Sequence, residues 1–473
     1  MEKRTLLVGG RWEEGTAGAF EVRSPFDGTP VAQVARAGAD QLAAAAGGAA
    51  RAAAAMAALP PSARAEILER ACELLRARKE EAMERLVAEA GKPVRLARIE
   101  AERAVDVLAD SAYVARYPRL EARDLGGFAS GAGRLALVKR VPVGPVLAIT
   151  PFNFPLNLVA HKLGPAVAAG CPVVLKPASQ TPSPALLLAE VLLEAGLPPE
   201  GLSVLPASAA DMEPLVRDPR FRLLTFTGSA EVGWALKRTA WDRRVALELG
   251  GNAAAIVEPD AGDLGEIAER LAFGAYAFAG QSCISVQRIL VHEAVWEPFR
   301  ALAAAATHAV PAGDPADERT VCGPLIDSAN AERVARWVEQ ALAAGGRLLA
   351  GGARAGNVVT PVLLEGVPPD QPVVADEVFG PVAVLQRYHH FEEALELVNR
   401  SRYGLQTGVF TSDLGKVRRA WDVLEVGGVI QGDMPTWRSD PMPYGGVKAS
   451  GTGREGPAWA VLEMTEERLL VLR

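Results

Sequence analysis

Cysteine is scarce in this chain and never falls in a ligand-like spacing. The four cysteines, Cys72, Cys171, Cys283 and Cys322, include no CxxC pair, so neither a disulfide framework nor a thiolate metal site is expected. The five histidines form no HExxH, and only His389 and His390 adjoin; no metal is expected. No stretch of about 18 uncharged apolar residues occurs, so no membrane span is expected. Met1-Glu2-Lys3-Arg4-Thr5 leads into no apolar run with a cleavage site, which predicts a cytoplasmic protein. A basic excess is also missing. The net charge is −7, which argues against a nucleic-acid partner.

What is present is length and apolar mass. The 473 residues, 49% of them hydrophobic, predict two or more domains. Short strands and turns fill residues 1–36. An Ala-rich helix then runs from Ala39 to about Leu59, and Pro60-Pro61-Ser62 breaks and recaps it. Ile67, Leu68, Ala71, Leu74 and Leu75 predict one helix from Ser62 to Ala90, ended by Gly91-Lys92-Pro93. A third spans about Arg95 to Tyr117. From Val141 the texture changes to β-like runs alternating with helical ones, the pattern of a parallel sheet with right-handed crossovers. Ligands bind such sheets at the C-terminal strand ends. The loops to inspect are therefore Thr150 to Pro155, Lys176 to Thr181 and Thr227 to Gly233. A second β/α series follows Gly250-Gly251, where the domain divide is placed. Leu120 to Val141 and the tail from about Ala458 read as a small interdomain or intersubunit sheet. Gly451-Thr452-Gly453-Arg454-Glu455-Gly456 matches GxGxxG, but no βαβ unit can follow it, so it reads as a turn.

The chemistry is placed at Gly280-Gln281-Ser282-Cys283, between an apolar helical run and a strand-like one. A lone cysteine reads first as a buried structural thiol. Four other motifs change that reading. Ile149-Thr150-Pro151-Phe152-Asn153-Phe154-Pro155 follows the first strand of the sheet, and the Asn153 amide with the Cys283 backbone N–H can form an oxyanion hole. Lys176, ending the next strand, can reach ribose hydroxyls. Phe226-Thr227-Gly228-Ser229-Ala230-Glu231-Val232-Gly233 ends a strand and opens a helix, where backbone N–H groups can meet a pyrophosphate. Leu247-Glu248-Leu249-Gly250-Gly251 sets a carboxylate in an apolar environment that raises its pKa, as suits a general base.

With Glu377-Val378-Phe379-Gly380-Pro381 and Pro443-Tyr444-Gly445-Gly446, this set resembles the aldehyde dehydrogenase superfamily along essentially the whole chain. The resemblance implies an α/β fold: a Rossmann-like cofactor domain (1–119 and 142–250), an α/β catalytic domain (251–457) and a small β oligomerisation arm (120–141 and 458–473). It implies Cys283 as nucleophile, Glu248 as the base for deacylation and Asn153 as oxyanion holder. Ile149, Thr150, Pro151, Phe152, Lys176, Ser179, Gly228, Ser229, Gly233, Leu249, Gly250, Glu377 and Phe379 would face an NAD or NADP cofactor, and Glu455 would serve a proton relay. The implied partners are a small aldehyde and further copies of the chain, as homodimer or homotetramer.

Two departures refine this expectation. The family's common NAD pattern has a glutamate three residues after the lysine, where this chain has Ser179; that favours NADP, with NAD also used. Ile284 follows the cysteine where some subfamilies carry a substrate-binding arginine. Arg103, Phe154, His161, Arg438 and Tyr444 are the substrate-facing candidates, and they point to a small polar or anionic aldehyde. The rival readings are a CoA-acylating relative, disfavoured by Glu248, and a non-catalytic relative, disfavoured by intact Cys283, Glu248 and Asn153.

Overall fold

Leu223–Thr227, Val146–Ile149 and Val173–Lys176 are runs of β-branched and aliphatic residues, and they lie side by side in the middle of a sheet that is buried on both faces. The computed structural model describes residues 2–473; Met1 lies outside them. In that sheet of eight strands, Arg244–Glu248, Leu223–Thr227, Val146–Ile149, Val173–Lys176 and Leu202–Val204 run parallel in this order. Chain order proceeds one way from Val146–Ile149 through Leu202–Val204, then resumes on the other side with Leu223–Thr227. The switch point therefore lies between Ile149 and Thr227, where a crevice opens at the strand ends. Short antiparallel strands close both edges: Leu6–Val8 and Arg11–Glu13 on one side, Gly451–Thr452 on the other. The last of these belongs to the GxGxxG-like stretch, which makes a strand and a turn.

A second sheet has seven strands, six of them parallel, with Ala253–Val257 between Val286–His292 and Gln406–Phe410. Its relation to the first sheet positions the site. Arg244–Glu248 ends in the first sheet, and after four intervening residues Ala253–Val257 begins in the second. The C-terminal strand ends of one sheet thus face the N-terminal strand ends of the other. Glu248 sits at one lip of the gap and Cys283, before Val286–His292, at the other.

Leu135–Pro142 pairs antiparallel with Leu120–Asp124 and with Thr465–Leu472, making a separate three-stranded sheet. The helix Pro457–Glu463 occupies the first part of the tail, so the strand begins at Thr465. The expected single helix from Ser62 to Ala90 is two, Pro61–Ala77 and Lys79–Ala90, parted at Arg78. At the break, Arg78 pairs with Glu81 of the second helix and with Glu190 of the helix Ser183–Glu194. Among the described residues, no single helix is long and apolar enough to cross a membrane.

Candidate active site

Glu248 is the last residue of its strand, and among the described residues neither of its carboxylate oxygens has a protein partner. Burial, then the nearby Glu455 charge, pushes its pKa well above the usual carboxylate range, against the pull of Lys162, Arg438 and Arg454. A buried, unpartnered carboxylate at a cleft wall is suited to take a proton from water. The chain continues through Leu249, whose N–H donates to the Ser450 carbonyl at 3.0 Å. The Gly251 N–H donates to Glu377 Oε1, also at 3.0 Å. A Cβ at Gly250 would stand 2.1 Å from Glu377 Oε2, so glycine is what admits that carboxylate. Burial raises the Glu377 pKa to about 7.

Cys283 is reached through a turn of unusual backbone. Phe278, Ala279 and Gly280 have φ of 53°, 54° and 66°, three left-handed residues in succession. A Cβ at Gly280 would lie 2.3 Å from the Gly380 carbonyl oxygen. Non-glycine residues in this region cost roughly 1–3 kcal/mol each and persist where the surroundings over-determine them. The turn ends the helical run and delivers Cys283 half-buried to the cleft. Its sulfur shares a 2.7 Å hydrogen bond with Tyr444 Oη. Burial pushes the thiol up to about 12, and the tyrosine contact opposes the rise. The Arg438 guanidinium lies 3.8 Å from the centre of the same tyrosine ring.

Asn153 belongs to the loop after Val146–Ile149. Its Nδ2 donates to the Gln281 carbonyl at 3.0 Å, two residues from the thiol, and its Oδ1 has no partner. One amide hydrogen is used there, which leaves the second for a ligand.

Behind Glu248 stands a buried charge cluster. Lys162 Nζ donates to Glu455 Oε1 at 3.0 Å, Arg438 to Glu455 Oε2 at 3.1 Å, and Thr227 Oγ1 to Oε1 at 3.3 Å. Burial works against a charge on Glu455, but Lys162, Arg438 and His161 hold its carboxyl well below the usual range. Asp440 accepts from Arg103 at 2.8 and 2.9 Å, from Asn157 at 3.2 Å, and contacts His161 Nε2 at 2.9 Å.

One cleft of about 1200 Å³ brings nearly all the predicted residues together. Arg103, Ile149, Thr150, Pro151, Phe152, Asn153 and Phe154 line it together with Glu248, Leu249, Gly250, Cys283, Glu377 and Phe379. Lys176, Ser179, Gly228 and Ser229 face its far end, and Arg438, Tyr444 and Glu455 its floor. Two predicted residues do not reach it. Gly233 lies inside the helix Ala230–Thr239, packed against the Leu249 side chain. His161, expected to face substrate, is fully buried behind Arg438, 3.0 Å from that guanidinium. The cause is its helix, Asn157–Ala169, all of whose residues are buried.

Several participants were not foreseen. Lys162 and Asp440 complete the charge cluster, and Arg333 and Trp337 line the cleft. Lys162 carried a signal: a lysine inside a thirteen-residue helical run that is otherwise mostly apolar must have a buried counter-ion.

The far end fits a dinucleotide. The ten-residue helix Ala230–Thr239 points its N-terminus into the cleft without a side-chain cap, so its first N–H groups are available to an anion. Val216, Val232 and Leu236 make an apolar slot beside it, suited to a flat base. Lys176 also lines the cleft, and burial lowers its pKa to about 8. Among the described residues, no group of three His, Cys, Asp or Glu side chains is placed to hold a metal ion.

Comparison with known proteins points the same way. The model of the aldehyde dehydrogenase family matches residues 12–470. The 3-sulfolactaldehyde dehydrogenase of Priestia aryabhattai is 44% identical over 468 residues, covering 99% of this chain and 97% of that protein. The crystal structure of aldehyde dehydrogenase 21 from Physcomitrella patens, in complex with its product succinate, matches with a TM-score of 0.98 and 40% identity, covering 100% of this chain and 98% of that one. The NADP-dependent glyceraldehyde-3-phosphate dehydrogenase of Bacillus halodurans, complexed with NADP, matches with a TM-score of 0.97 and 33% identity over the full length of both chains. With a thiol and an unpartnered carboxylate on the lining of one cleft, and with these relatives, the chain belongs to the aldehyde dehydrogenase family.

Proposed function

We propose that this chain oxidises a small anionic aldehyde to its carboxylic acid, with Cys283 as nucleophile and Glu248 as the base that releases the product. The observation that carries the assignment is the convergence of the two groups, 35 positions apart in sequence, on the facing strand ends of two sheets around one cleft. The Cys283 thiolate, its proton released to solvent, bonds to the aldehyde carbon while Tyr444 donates to the sulfur and the carbonyl π pair moves onto oxygen. The carbonyl oxygen becomes an oxyanion and takes the free Asn153 amide hydrogen. Bound in the cleft, the nicotinamide supplies the acceptor for the hydride that leaves this carbon. The resulting thioester stays on Cys283. Glu248 then draws a proton from water, whose oxygen attacks the thioester carbon. The carbon–sulfur bond breaks, giving the acid and the thiolate. Glu455, ion-paired with Lys162 and Arg438, stands where the proton can be passed on. Glu377 would take the nicotinamide ribose and Phe379 would pack near the ring. A photometric assay of cofactor reduction, run with and without CoA, tests this reading. Dependence on CoA would sink the hydrolytic assignment.

The anionic substrate is supported by Arg438. Its side chain is buried on the cleft floor and its Nε has no partner. The relatives named above act on, or hold as product, molecules with a sulfonate, carboxylate or phosphate. Arg438→Leu is expected to raise KM for succinate semialdehyde about tenfold or more relative to propanal, since a hydrogen bond to a charged group is worth about 1.5–3 kcal/mol. Lys162 still holds Glu455 in that variant, so any shared loss cancels in the ratio. Equal effects on both aldehydes exclude the role.

Cofactor choice is assigned to Ser179. It is exposed at the cleft's far end, with its Oγ 3.5 Å from the Ala207 carbonyl. A carboxylate there would repel the 2′-phosphate of NADP, whereas a hydroxyl can donate to it, and Lys176 supplies a cation nearby. NADP is therefore the preferred cofactor, with NAD also used. Ser179→Glu is expected to lower kcat/KM for NADP at least tenfold, about 1.4 kcal/mol, and to change NAD little. Unchanged use of NADP by this variant removes the assignment.

The domain roles follow: residues 1–119 and 142–250 bind cofactor, and 251–457 carry the thiol, with Gly451–Thr452 adding an edge strand to the cofactor sheet. The three-stranded sheet leaves Leu469, Leu470 and Leu472 exposed, which supports its use as the contact between subunits of a cytoplasmic homodimer or homotetramer.

A further inference from the structure

Lys92 closes the Gly91-Lys92-Pro93 break between two N-terminal helices, far in sequence from either catalytic loop, yet it is almost completely buried beside both. Its ammonium is ion-paired with the equally buried Glu100 carboxylate. It donates to the Asn153 carbonyl oxygen at 2.7 Å. It lies 3.7 Å from the ring centre of Phe154 and 4.5 Å from that of Phe278. One ring belongs to the Asn153 loop and the other to the left-handed turn that delivers Cys283. The two rings meet edge to face, 6.4 Å between centres. Glu100 fastens the same loop at its other end. Its Oε1 accepts the N–H groups of Leu156 and Asn157 at 3.0 and 3.1 Å, where the helix Asn157–Ala169 begins without a side-chain cap of its own.

We propose that the Lys92–Glu100 pair is the positioning device that holds the Asn153 loop and the Cys283 loop in register, so that the Asn153 amide meets the oxyanion. The contacts assign this function for a physical reason. Backbone groups of the Asn153 loop are tied at both ends by one ion pair, the carbonyl of Asn153 by the cation and the N–H groups of Leu156 and Asn157 by the anion. The ammonium face between two aromatic rings then couples this loop to the Phe278 turn by cation–π attraction, which is stronger when desolvated. A buried pair with no solvent contact gives a single geometry. Its energetic advantage over an apolar pair is small or absent, which leaves placement as what it contributes. Neither residue reaches the cleft wall. Their action is indirect, through Asn153.

The inference rests on the reading of Asn153 as oxyanion holder, and the experiment separates the two. Two reactions of the same thiol are compared in the full-length protein. Acylation by p-nitrophenyl acetate passes through an oxyanion: the sulfur bonds to the ester carbon and p-nitrophenolate leaves. Alkylation by iodoacetamide displaces iodide at a saturated carbon and forms none. Tyr444, which holds the sulfur, touches neither Lys92 nor Glu100, so access to the thiol should survive their loss. Lys92→Met is expected to slow acylation at least tenfold while alkylation stays within twofold and the KM for cofactor is unchanged. Because Lys92→Met alone leaves Glu100 buried without a counter-ion, the double variant Lys92→Met/Glu100→Gln, which keeps the site neutral, is measured beside it with the same expected split. Asn153→Ala should show the split more strongly, since one oxyanion donor contributes about 10²–10³ in rate. If Asn153→Ala leaves acylation untouched, the oxyanion reading falls and this inference with it. If Asn153→Ala slows acylation but both Lys92 variants do not, the positioning inference alone is overturned. It is overturned equally if the two reactions slow by the same factor, or if the neutral double variant does not fold, since the pair would then be structural.

Discussion

Cys283→Ala is expected to abolish aldehyde oxidation, by at least about 10⁴-fold, while the folded protein keeps its affinity for the nicotinamide cofactor. The size of the effect follows from the absence of a substitute. The other three cysteines are buried, and none of them lines the cleft. The retained binding follows from geometry. The sulfur's one polar partner is Tyr444 Oη, and the pyrophosphate end at Gly228 and Ser229 lies on the opposite sheet. The measurements are the rate of cofactor reduction and a fluorescence titration with NADP. Turnover within about a hundredfold of wild type would remove Cys283 from the role of nucleophile. Lost NADP binding would mean that the thiol also supports the cofactor site.

How much of this was legible in the sequence depended on how local each cause was. The loops after Val146–Ile149, Val173–Lys176 and Leu223–Thr227 could be found because alternating strand and helix patterns fix where strand ends fall, and strand ends are where parallel sheets bind. The union of Glu248 with Cys283 came from motif resemblance, since no local rule says that two sheets will face each other end to end. His161 was misplaced for a similar reason. The family resemblance implies the substrate side for it, but the helix carrying it is buried on every face. Asp440 pairs with Arg103 across 337 positions, and nothing near either residue announces the other. The break at Arg78 was hidden because Leu75, Ala82 and Leu86 keep helical spacing through it, while Glu190, the partner of Arg78, lies on another helix. Lys92 was visible only as the end of a helix. Its burial beside Phe154 and Phe278 is a product of three segments meeting.

Glu248→Gln is expected to transfer one hydride per active site and then stop. The glutamine keeps the shape of the side chain but cannot accept a proton from water, so the thioester forms on Cys283 and persists. General-base catalysis contributes about 10²–10⁴ in rate, and steady turnover should fall by that factor while the first turnover survives. A burst of reduced cofactor equal to the enzyme concentration, with a covalent acyl adduct seen by intact-protein mass, is the signature. The pH dependence gives an independent check. Burial and the Glu455 charge raise the Glu248 pKa well above the usual carboxylate range, and the base must be ionised to act. Where deacylation limits turnover in the wild type, kcat should therefore climb as pH rises through that elevated pKa and fall below it, where Glu248 is protonated. The acid limb should shift upward in Lys162→Met, because that substitution removes a cation favouring the ionised form. In Glu248→Gln the limb should vanish, leaving the slow residual rate flat across it. A variant that turns over steadily within tenfold of wild type, with the same pH profile, would place the base elsewhere, and Glu455, already held ionised by Lys162 and Arg438, would be the first group to test.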